Sequence, residues 1–181
     1  MMAASTGKLF FVVGPSGAGK DTLLAGALAA DPSLHWAQRV ISRPQTGQGE
    51  PFEPCTEAQF QARLAAGDFA LHWQAHGLFY GVRHAQLAPL TAGQTVLLNG
   101  SRGAIAQARA AFPQMQILMI TAPVALLAQR LAARGRESSK DIEARLARAD
   151  LGLPDGLPYI EVCNDNAPEI GIARLLQAIK G

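Results

Sequence analysis

The chain has 181 residues, which is enough for one domain with a substantial core but too few for two independent domains of ordinary size. Hydrophobic residues make up 49% of it and charged residues 17%, and no apolar run approaches the roughly 18 residues of a membrane span, which argues against a membrane partner. A net charge of +2 is too small to indicate a nucleic-acid partner.

The N-terminal stretch predicts a cytoplasmic protein. "MMAASTGKLFFVV" contains a short apolar run, but a glycine-rich segment follows it where a secretory signal would have a small-residue cleavage site. Cys55 and Cys163 have neither the spacing of a metal site nor that of a disulfide framework, so we expect two reduced thiols. The oligomeric state is left open.

Apolar runs of strand length alternate with amphipathic stretches along most of the chain. The pattern predicts strands near residues 8–13, 95–99, 115–121 and 159–163, and helices near residues 20–30, 101–112, 123–134, 139–150 and 167–180. This order predicts an α/β fold in which helices flank a parallel sheet.

The alternation changes between residues 35 and 92. "WAQRVIS" and "FALHWQAHGLFYGV" have the character of short strands around a helix near residues 56–66, and prolines mark the polar connection before that helix. We therefore expect an inserted subdomain at about 35–92 within a core formed by 1–34 and 93–181. The polar segment "ARGRESSK" interrupts the helical pattern and predicts a mobile, arginine-bearing lid at about 134–148.

The segment "FFVVGPSGAGKDTLL", residues 10 to 24, has the context of a phosphate-binding loop: strand, glycine-rich turn, helix. Glycines allow backbone N–H groups to converge on phosphate oxygens, and the helix N-terminus adds partial positive charge. We expect this loop to bind ATP, with Lys20 at the β- and γ-phosphates. The predicted loop residues are Gly14, Pro15, Ser16, Gly17, Ala18, Gly19 and Lys20.

Asp21 stands where this loop pattern normally has a hydroxyl residue. A carboxylate beside Lys20 would repel phosphate unless a cation lies between them, so we expect Asp21 to lie close to Mg²⁺ or its water shell. Thr22 would supply a hydroxyl one position later. The alternative is that Asp21 only stabilises the first helical turn through the helix dipole.

Five segments resemble the guanylate kinase family of P-loop NTPases across nearly the full chain: "GPSGAGK", "ISRP", "GLFYG", "RLAARGRESSKDIEARLARA" and "VCNDN". Three others, "GKDT", "LLNGSR" and "ARGRE", are similar to one branch of it, the ribose 1,5-bisphosphate phosphokinases of phosphonate catabolism. Thr46 stands where guanylate kinases have a second phosphate-binding Arg, and His72 where they have a Glu that reads the guanine edge. These departures fit an acceptor that carries phosphate and no purine.

The resemblance implies that ATP, with Mg²⁺, phosphorylates the 1-phosphate of α-D-ribose 1,5-bisphosphate to give 5-phosphoribosyl diphosphate and ADP. A phosphate monoester is largely ionised at neutral pH, so we expect no dedicated catalytic base. The implied catalytic residues are Lys20, Arg130, Arg134 and Arg145; Asn164 and Asp165 would contact ATP through its adenine; the acceptor would bind Arg43, His72, Tyr80, Asn99 and Arg102.

Several of these residues have plainer alternative roles. Tyr80 would also fit a packed aromatic, and Arg102 a surface position at a helix start. Asn99 and Ser101 fit helix capping, and His76 ranks below His72 as an acceptor contact. Arg136 and Arg148, although they belong to the cluster of five arginines between residues 130 and 148, fit surface ion pairs.

Three other functions compete with the implied one. A guanylate or other nucleoside monophosphate kinase would use the same phosphate-binding residues with a different acceptor. A non-catalytic binding module of the same fold would be expected to have a damaged phosphate loop, which this sequence does not. A small sugar kinase would need a base for a neutral hydroxyl acceptor.

Overall fold

A computed structural model describes residues 7–47, 49–135, 137–149 and 152–181. The strands in these ranges are β1 Leu9–Val13, β2 His35–Trp36, β3 Arg39–Ile41, β4 Phe52–Pro54, β5 Phe69–Ala75, β6 Leu78–Arg83, β7 Val96–Asn99, β8 Gln116–Thr121 and β9 Ile160–Cys163. The α-helices are α1 Lys20–Ala30, α2 Glu57–Ala65, α3 His84–Leu87, α4 Ile105–Ala111, α5 Val124–Ala133, α6 Ser139–Ala149 and α7 Pro168–Lys180. Short 3₁₀ turns span Ala88–Ala92 and Arg102–Ala104.

The first sheet is parallel throughout, with strand order β2-β7-β1-β8-β9. All five residues of β1 are buried, as expected for a central strand that is covered on both faces. Side chains alternate along it: Phe10 and Val12 pack with α1, α5 and α7, whereas Phe11 packs with α4 and with β5 and β6. Because β1 and β7 are parallel neighbours, their carboxyl ends lie at the same edge of the sheet, beside the glycine-rich turn.

The second sheet has the order β4-β3-β6-β5 and covers one face of the first. Its own outer face packs against α2 through Phe60, whose ring stacks on that of Phe69 with centroids 4.6 Å apart. Helix α2 begins with a capping box in which Thr56 and Gln59 satisfy each other's backbone N–H.

A tight turn joins β5 to β6 and places His76 at its tip. His76 and Gly77 both have positive φ, 52° and 73°, which is the two-residue hairpin turn that matches strand twist. Few residues other than glycine adopt this left-handed conformation, and histidine is enriched among those that do, together with asparagine and aspartate.

The predicted parallel α/β fold is confirmed, and the strands and helices predicted for the first sheet and its flanking layers lie within one residue of their observed bounds, with one exception. The helix expected from residue 101 begins instead with the 3₁₀ turn and becomes α4 at Ile105. "WAQRVIS" is divided between two sheets, because Trp36 pairs with β7 whereas Arg39–Ile41 pairs with β4 and β6. Strand β4, helix α3 and the turn at Ala88–Ala92 were not predicted.

The division into core, insert and lid remains a prediction. The insert boundary at residue 35 falls on β2, which belongs to the first sheet. Within the described ranges, none of the helices has the length and apolar character needed to cross a membrane.

Candidate active site

The turn between β1 and α1 forms a cradle of backbone groups. Gly17 and Gly19 have φ values of 86° and 88°, which only glycine adopts readily. A Cβ on Gly19 would also lie 2.5 Å from Nδ2 of Asn164, so neighbouring side chains leave no room for one. Gly19 occupies the N-cap of α1 without any side-chain cap, which leaves the first N–H groups of the helix for a ligand.

Lys20 lies inside this cradle. Its Nζ donates to the carbonyl oxygens of Gly14, at 2.7 Å, and Pro15, at 3.3 Å. The pKa of the Lys20 ammonium is lowered to about 8, chiefly by burial; the Asp21 carboxylate opposes this shift, and nearby arginines add to it. A bound phosphate would replace these neutral carbonyl partners of Nζ with negatively charged oxygens. That change would raise the pKa of Lys20 again.

Asp21 holds the acceptor side of the site to the phosphate loop. Its Oδ1 accepts from Nδ2 of Asn99 at 3.0 Å, and its Oδ2 accepts from the backbone N–H of Glu50 at 3.2 Å. The carboxylate that replaces the usual hydroxyl therefore joins α1, the end of β7 and the turn before β4. Thr22, the second candidate for the metal, is exposed on α1 and is not among the described residues that line the cavity.

A buried ion pair continues this network and was not predicted. Nε and Nη2 of Arg39 donate to the two carboxylate oxygens of Glu50 at 2.6 and 2.7 Å, and Asn99 donates to the same carboxylate. The Arg39 and Glu50 side chains are 11% and 4% exposed. No local pattern in the sequence indicates this pair, because the two residues are 11 positions apart, Arg39 in β3 and Glu50 in the turn before β4.

These residues line one cavity of about 400 Å³ between the two sheets. Among the described residues, seven cationic side chains and two carboxylates face it. The cations are Lys20, Arg39, Arg43, Arg102, Arg134, Arg145 and Arg148; the carboxylates are Asp21 and Glu50. The excess of positive charge fits ligands that carry several phosphate groups.

The arginines expected around the transferring group fall into two sets. Arg134 and Arg145 line the cavity, and Arg145 also donates to Oγ of Ser16 at 2.9 Å and pairs with Glu137 at 2.7 Å. Arg130 instead donates to three backbone carbonyls, those of Gly17, Ala18 and Asn164, at 3.0 to 3.3 Å. The structure thus places Arg130 behind the loop, where it supports the loop's shape.

Arg148 and Arg136 were expected to form surface ion pairs. Arg148 lines the cavity, and its carbonyl accepts from Nη2 of Arg102 at 2.7 Å. Arg136 lies outside the described residues.

Four of the residues predicted to bind the acceptor line the cavity, namely Arg43, Tyr80, Asn99 and Arg102, while the binding itself stays a prediction. The Arg43 guanidinium lies 4.8 Å above the Phe52 ring, and its buried Nε has no hydrogen-bond partner among the described residues. Neither Asn99 nor Ser101 acts as the expected helix cap: Asn99 bonds two carboxylates, and Ser101 precedes a 3₁₀ turn without a side-chain cap bond in the described chain.

The structure places His76, and not His72, among the described residues of the cavity wall, while an acceptor contact of either histidine stays a prediction. Side chains alternate across a strand, so in β5 the buried Leu71 and Trp73 share one face and His72 lies on the other. Among the described residues, Trp73 and His76 line the cavity and His72 does not. Burial lowers the pKa of His76, and the positive charges of Arg148 and Arg145 lower it further. Alternation within "ALHWQAH" was the signal that could have identified Trp73.

Asn164 and Asp165, the predicted adenine contacts, follow β9. Nδ2 of Asn164 donates to the Ala18 carbonyl at 2.7 Å, and no described residue donates to its buried Oδ1. Asp165 pairs with Arg174 at 2.7 Å. Neither is among the described residues of the cavity wall, so Asn164 contacts the loop while the adenine contact stays a prediction.

Comparison with known proteins places the chain among kinases. It is 47% identical over 163 residues to the ribose 1,5-bisphosphate phosphokinase PhnN of Ruegeria sp., an alignment that covers 89% of this chain and 85% of the relative. It is 46% identical over 177 residues to the bifunctional ribose 1,5-bisphosphokinase-thymidine phosphorylase of Cupriavidus necator, which covers 97% of this chain. The chain spans 26 to 30% of the length of the bifunctional relatives that it matches.

Among solved structures, the guanylate kinase from Anaplasma phagocytophilum shares the fold. The TM-score is 0.68 at 18% identity, and the alignment covers 99% of this chain and 87% of that one. No protein-family model matches the chain.

Proposed function

Because the chain belongs to the ribose 1,5-bisphosphate phosphokinase family, we propose that it transfers the γ-phosphoryl group of ATP to the 1-phosphate of α-D-ribose 1,5-bisphosphate. An oxygen of the 1-phosphate forms the new bond to phosphorus, and the bond to the β-phosphate oxygen breaks. The products are 5-phosphoribosyl diphosphate and ADP.

One observation supports the proposal most strongly: positively charged side chains and backbone N–H groups face a single cavity, both where ATP would bind and where the acceptor would bind. Lys20 and the first turn of α1 lie at the donor end, and Arg43 projects from the second sheet at the acceptor end. A sugar bisphosphate carries a charge of about −3 to −4 at neutral pH, so it benefits from an arginine at each phosphate. Arginine suits this role because it stays charged and grips two oxygens at once.

The chemistry needs positioning and charge neutralisation more than proton transfer. The attacking oxygen belongs to a phosphate whose second pKa is about 6, so it is already ionised at neutral pH. Arg134 and Arg145, which line the cavity, are suited to stabilise the charge of the transferring group. Arg145 also reaches Ser16 of the loop, which fits a contact between the lid and bound phosphates.

The residues at the donor end fit a Mg²⁺ ion bound with ATP. The Asp21 carboxylate lines the cavity beside Lys20, and each of its oxygens accepts one hydrogen bond, which leaves lone pairs for the water shell of the ion. The metal would neutralise charge on the β- and γ-phosphates. Asp21→Asn tests this role: we expect the Mg²⁺ concentration needed for half-maximal turnover to rise, and an unchanged Mg²⁺ dependence would remove Asp21 from the metal site.

A coupled ADP-release assay with a series of acceptors tests the proposed reaction. We expect kcat/KM for ribose 1,5-bisphosphate to exceed that for GMP by at least ~10³-fold. The reason is that the cavity offers hydrogen-bond donors to phosphate but lacks the Glu that reads the guanine edge. Preference for GMP would instead assign the chain to the nucleotide kinases. No ADP with either acceptor would favour a binding module.

A further inference from the structure

The indole N–H of Trp73 is a buried donor that lacks an acceptor. Trp73 lies in β5, is 6% exposed and lines the cavity. Within the described ranges, no atom accepts a hydrogen bond from its Nε1. A buried N–H in this state costs stability, and buried tryptophans usually find a partner for it. The missing acceptor is therefore expected to come from a ligand.

Neighbouring rings hold the indole in place. It stacks on Tyr80 with centroids 5.5 Å apart and planes at 5°, and the Phe11 ring meets it edge-on at 6.2 Å. The guanidinium of Arg39 lies 4.9 Å from the Tyr80 ring and 5.9 Å from that of Trp73. A ring packed in this way presents its N–H in one direction, which reduces the entropy cost of binding a ligand there.

A second unpartnered donor, Nε of Arg43, belongs to the same wall of the cavity. Ile41, two residues before Arg43, pairs with Tyr80 across the sheet, and Tyr80 pairs with Trp73. Both groups can donate and neither can accept. Two such donors on one wall require acceptor atoms on the ligand, and the oxygens of phosphates and sugars provide them.

We infer that Trp73 is a binding residue for the acceptor substrate: its indole N–H donates a hydrogen bond to an oxygen of ribose 1,5-bisphosphate, beside the phosphate held by Arg43. The identity of that ligand rests on the proposed function, whereas the unpartnered donor is a feature of this chain. Because Tyr80 covers one face of the indole, Trp73 offers the ligand its N–H edge.

The wild-type protein permits a direct test. The chain has two tryptophans, so ¹⁵N labelling gives two indole N–H signals in a proton–nitrogen correlation spectrum, and Trp36→Phe assigns them. Trp36 lies in β2 and is not among the described cavity residues. We expect saturating ribose 1,5-bisphosphate to shift the Trp73 signal downfield and slow its exchange with solvent, with little change at Trp36.

Inorganic phosphate as a second probe identifies the oxygen. A shift of the Trp73 signal with both probes assigns the bond to a phosphate oxygen, and a shift with the bisphosphate alone assigns it to the pentose. An unmoved Trp73 signal, at acceptor concentrations that saturate turnover, overturns the inference and leaves the proposed function intact. Conversely, a protein that does not phosphorylate the bisphosphate but shows the shift refutes only the proposed reaction.

Trp73→Phe gives a kinetic measure of the same bond, since phenylalanine keeps the aromatic packing and removes the N–H. We expect KM for ribose 1,5-bisphosphate to rise about tenfold, equivalent to about 1.4 kcal/mol, while kcat and KM for ATP stay within about twofold. Trp36→Phe should leave all three constants unchanged. An unaltered KM for the acceptor in a folded Trp73→Phe protein contradicts the inference. If the variant does not fold, the spectrum of the wild-type protein is the deciding test.

Discussion

The buried pair between Arg39 and Glu50 makes a quantitative prediction about stability. Two hydrogen bonds of 2.6 and 2.7 Å join the guanidinium to the carboxylate, and the Glu50 side chain is only 4% exposed. Removal of one partner from such a pair leaves an uncompensated buried charge, which costs about 3–5 kcal/mol. Glu50→Gln keeps the shape but turns an amide N–H₂ toward donors on Arg39 or Asn99, so we expect a loss of about 3 kcal/mol.

The measurement is urea denaturation followed by circular dichroism. With a denaturant dependence of about 2 kcal/mol per molar, that loss lowers the unfolding midpoint by about 1.5 M. A matched control exists in the same sheet: Glu53 pairs with Arg63 at 2.6 Å, but their side chains are 32% and 33% exposed. Because exposed pairs contribute about 0–1 kcal/mol, Glu53→Gln should shift the midpoint by less than about 0.5 M.

A double-mutant cycle identifies the pair as the cause. Arg39→Met in the Glu50→Gln background removes the uncompensated charge, so the double variant should lose less than the sum of the two single variants. If Glu50→Gln is no more destabilising than Glu53→Gln, the reasoning about burial is refuted.

Three further predictions concern the loop and the lid. Because burial lowers the pKa of Lys20 to about 8, the charged lysine destabilises the fold below pH 8, and this penalty is relieved as pH rises toward about 10.5. Lys20→Met should therefore raise Tm at pH 7, by an amount that shrinks toward pH 10. The kcat/KM of the wild-type enzyme should fall above about pH 8. A Tm difference between the two proteins that does not depend on pH would contradict this explanation. Arg134→Ala should lower kcat by at least ~10²-fold with little change in Tm, whereas Arg109→Ala, a change outside the described cavity wall, should leave kcat unaltered. Gly171→Ala places a Cβ 2.5 Å from Oδ1 of Asn164, so it should raise KM for ATP and lower the free energy of unfolding in urea by about 1–3 kcal/mol. A wild-type KM together with a wild-type free energy of unfolding would show that α7 shifts without moving the Asn164 amide.

The phosphate loop was predictable because its chemistry is local. Strand, glycines, Lys20 and helix are consecutive in sequence, and each is required by the geometry of binding phosphate through backbone N–H groups. The parallel sheet followed from apolar runs that alternate with helical patterns, a signal that the fully buried β1 bears out.

The polar network was not predictable, because its residues are distant from one another in the sequence. Asp21, Arg39, Glu50 and Asn99 lie on separate elements, and only the parallel pairing of β3 with β4 and the packing of the two sheets bring them together. The sequence indicated an electrostatic problem at Asp21, but not that Asn99 and the Glu50 backbone would satisfy its carboxylate.

The family resemblance and the strand geometry point to different residues of β5, and the acceptor contact of His72 stays a prediction. His72 was selected because it occupies the position of a base-reading Glu, yet strand alternation puts Trp73 on the cavity side of β5. Arg130 shows a similar limit: its position beside Arg134 on α5 suggested a phosphate contact, but its partners are carbonyls of the loop and of Asn164.

The central claim is that the phosphoryl group moves onto an oxygen of the pentose 1-phosphate. Phosphorus-31 NMR of the reaction of ATP with ribose 1,5-bisphosphate measures this directly. We predict that the 1-phosphate resonance gives way to a pair of coupled diphosphate doublets as ADP appears, with the 5-phosphate singlet unchanged. A diphosphate formed at the 5-position, or the two doublets of ADP without a second coupled pair from the pentose diphosphate, would contradict the account.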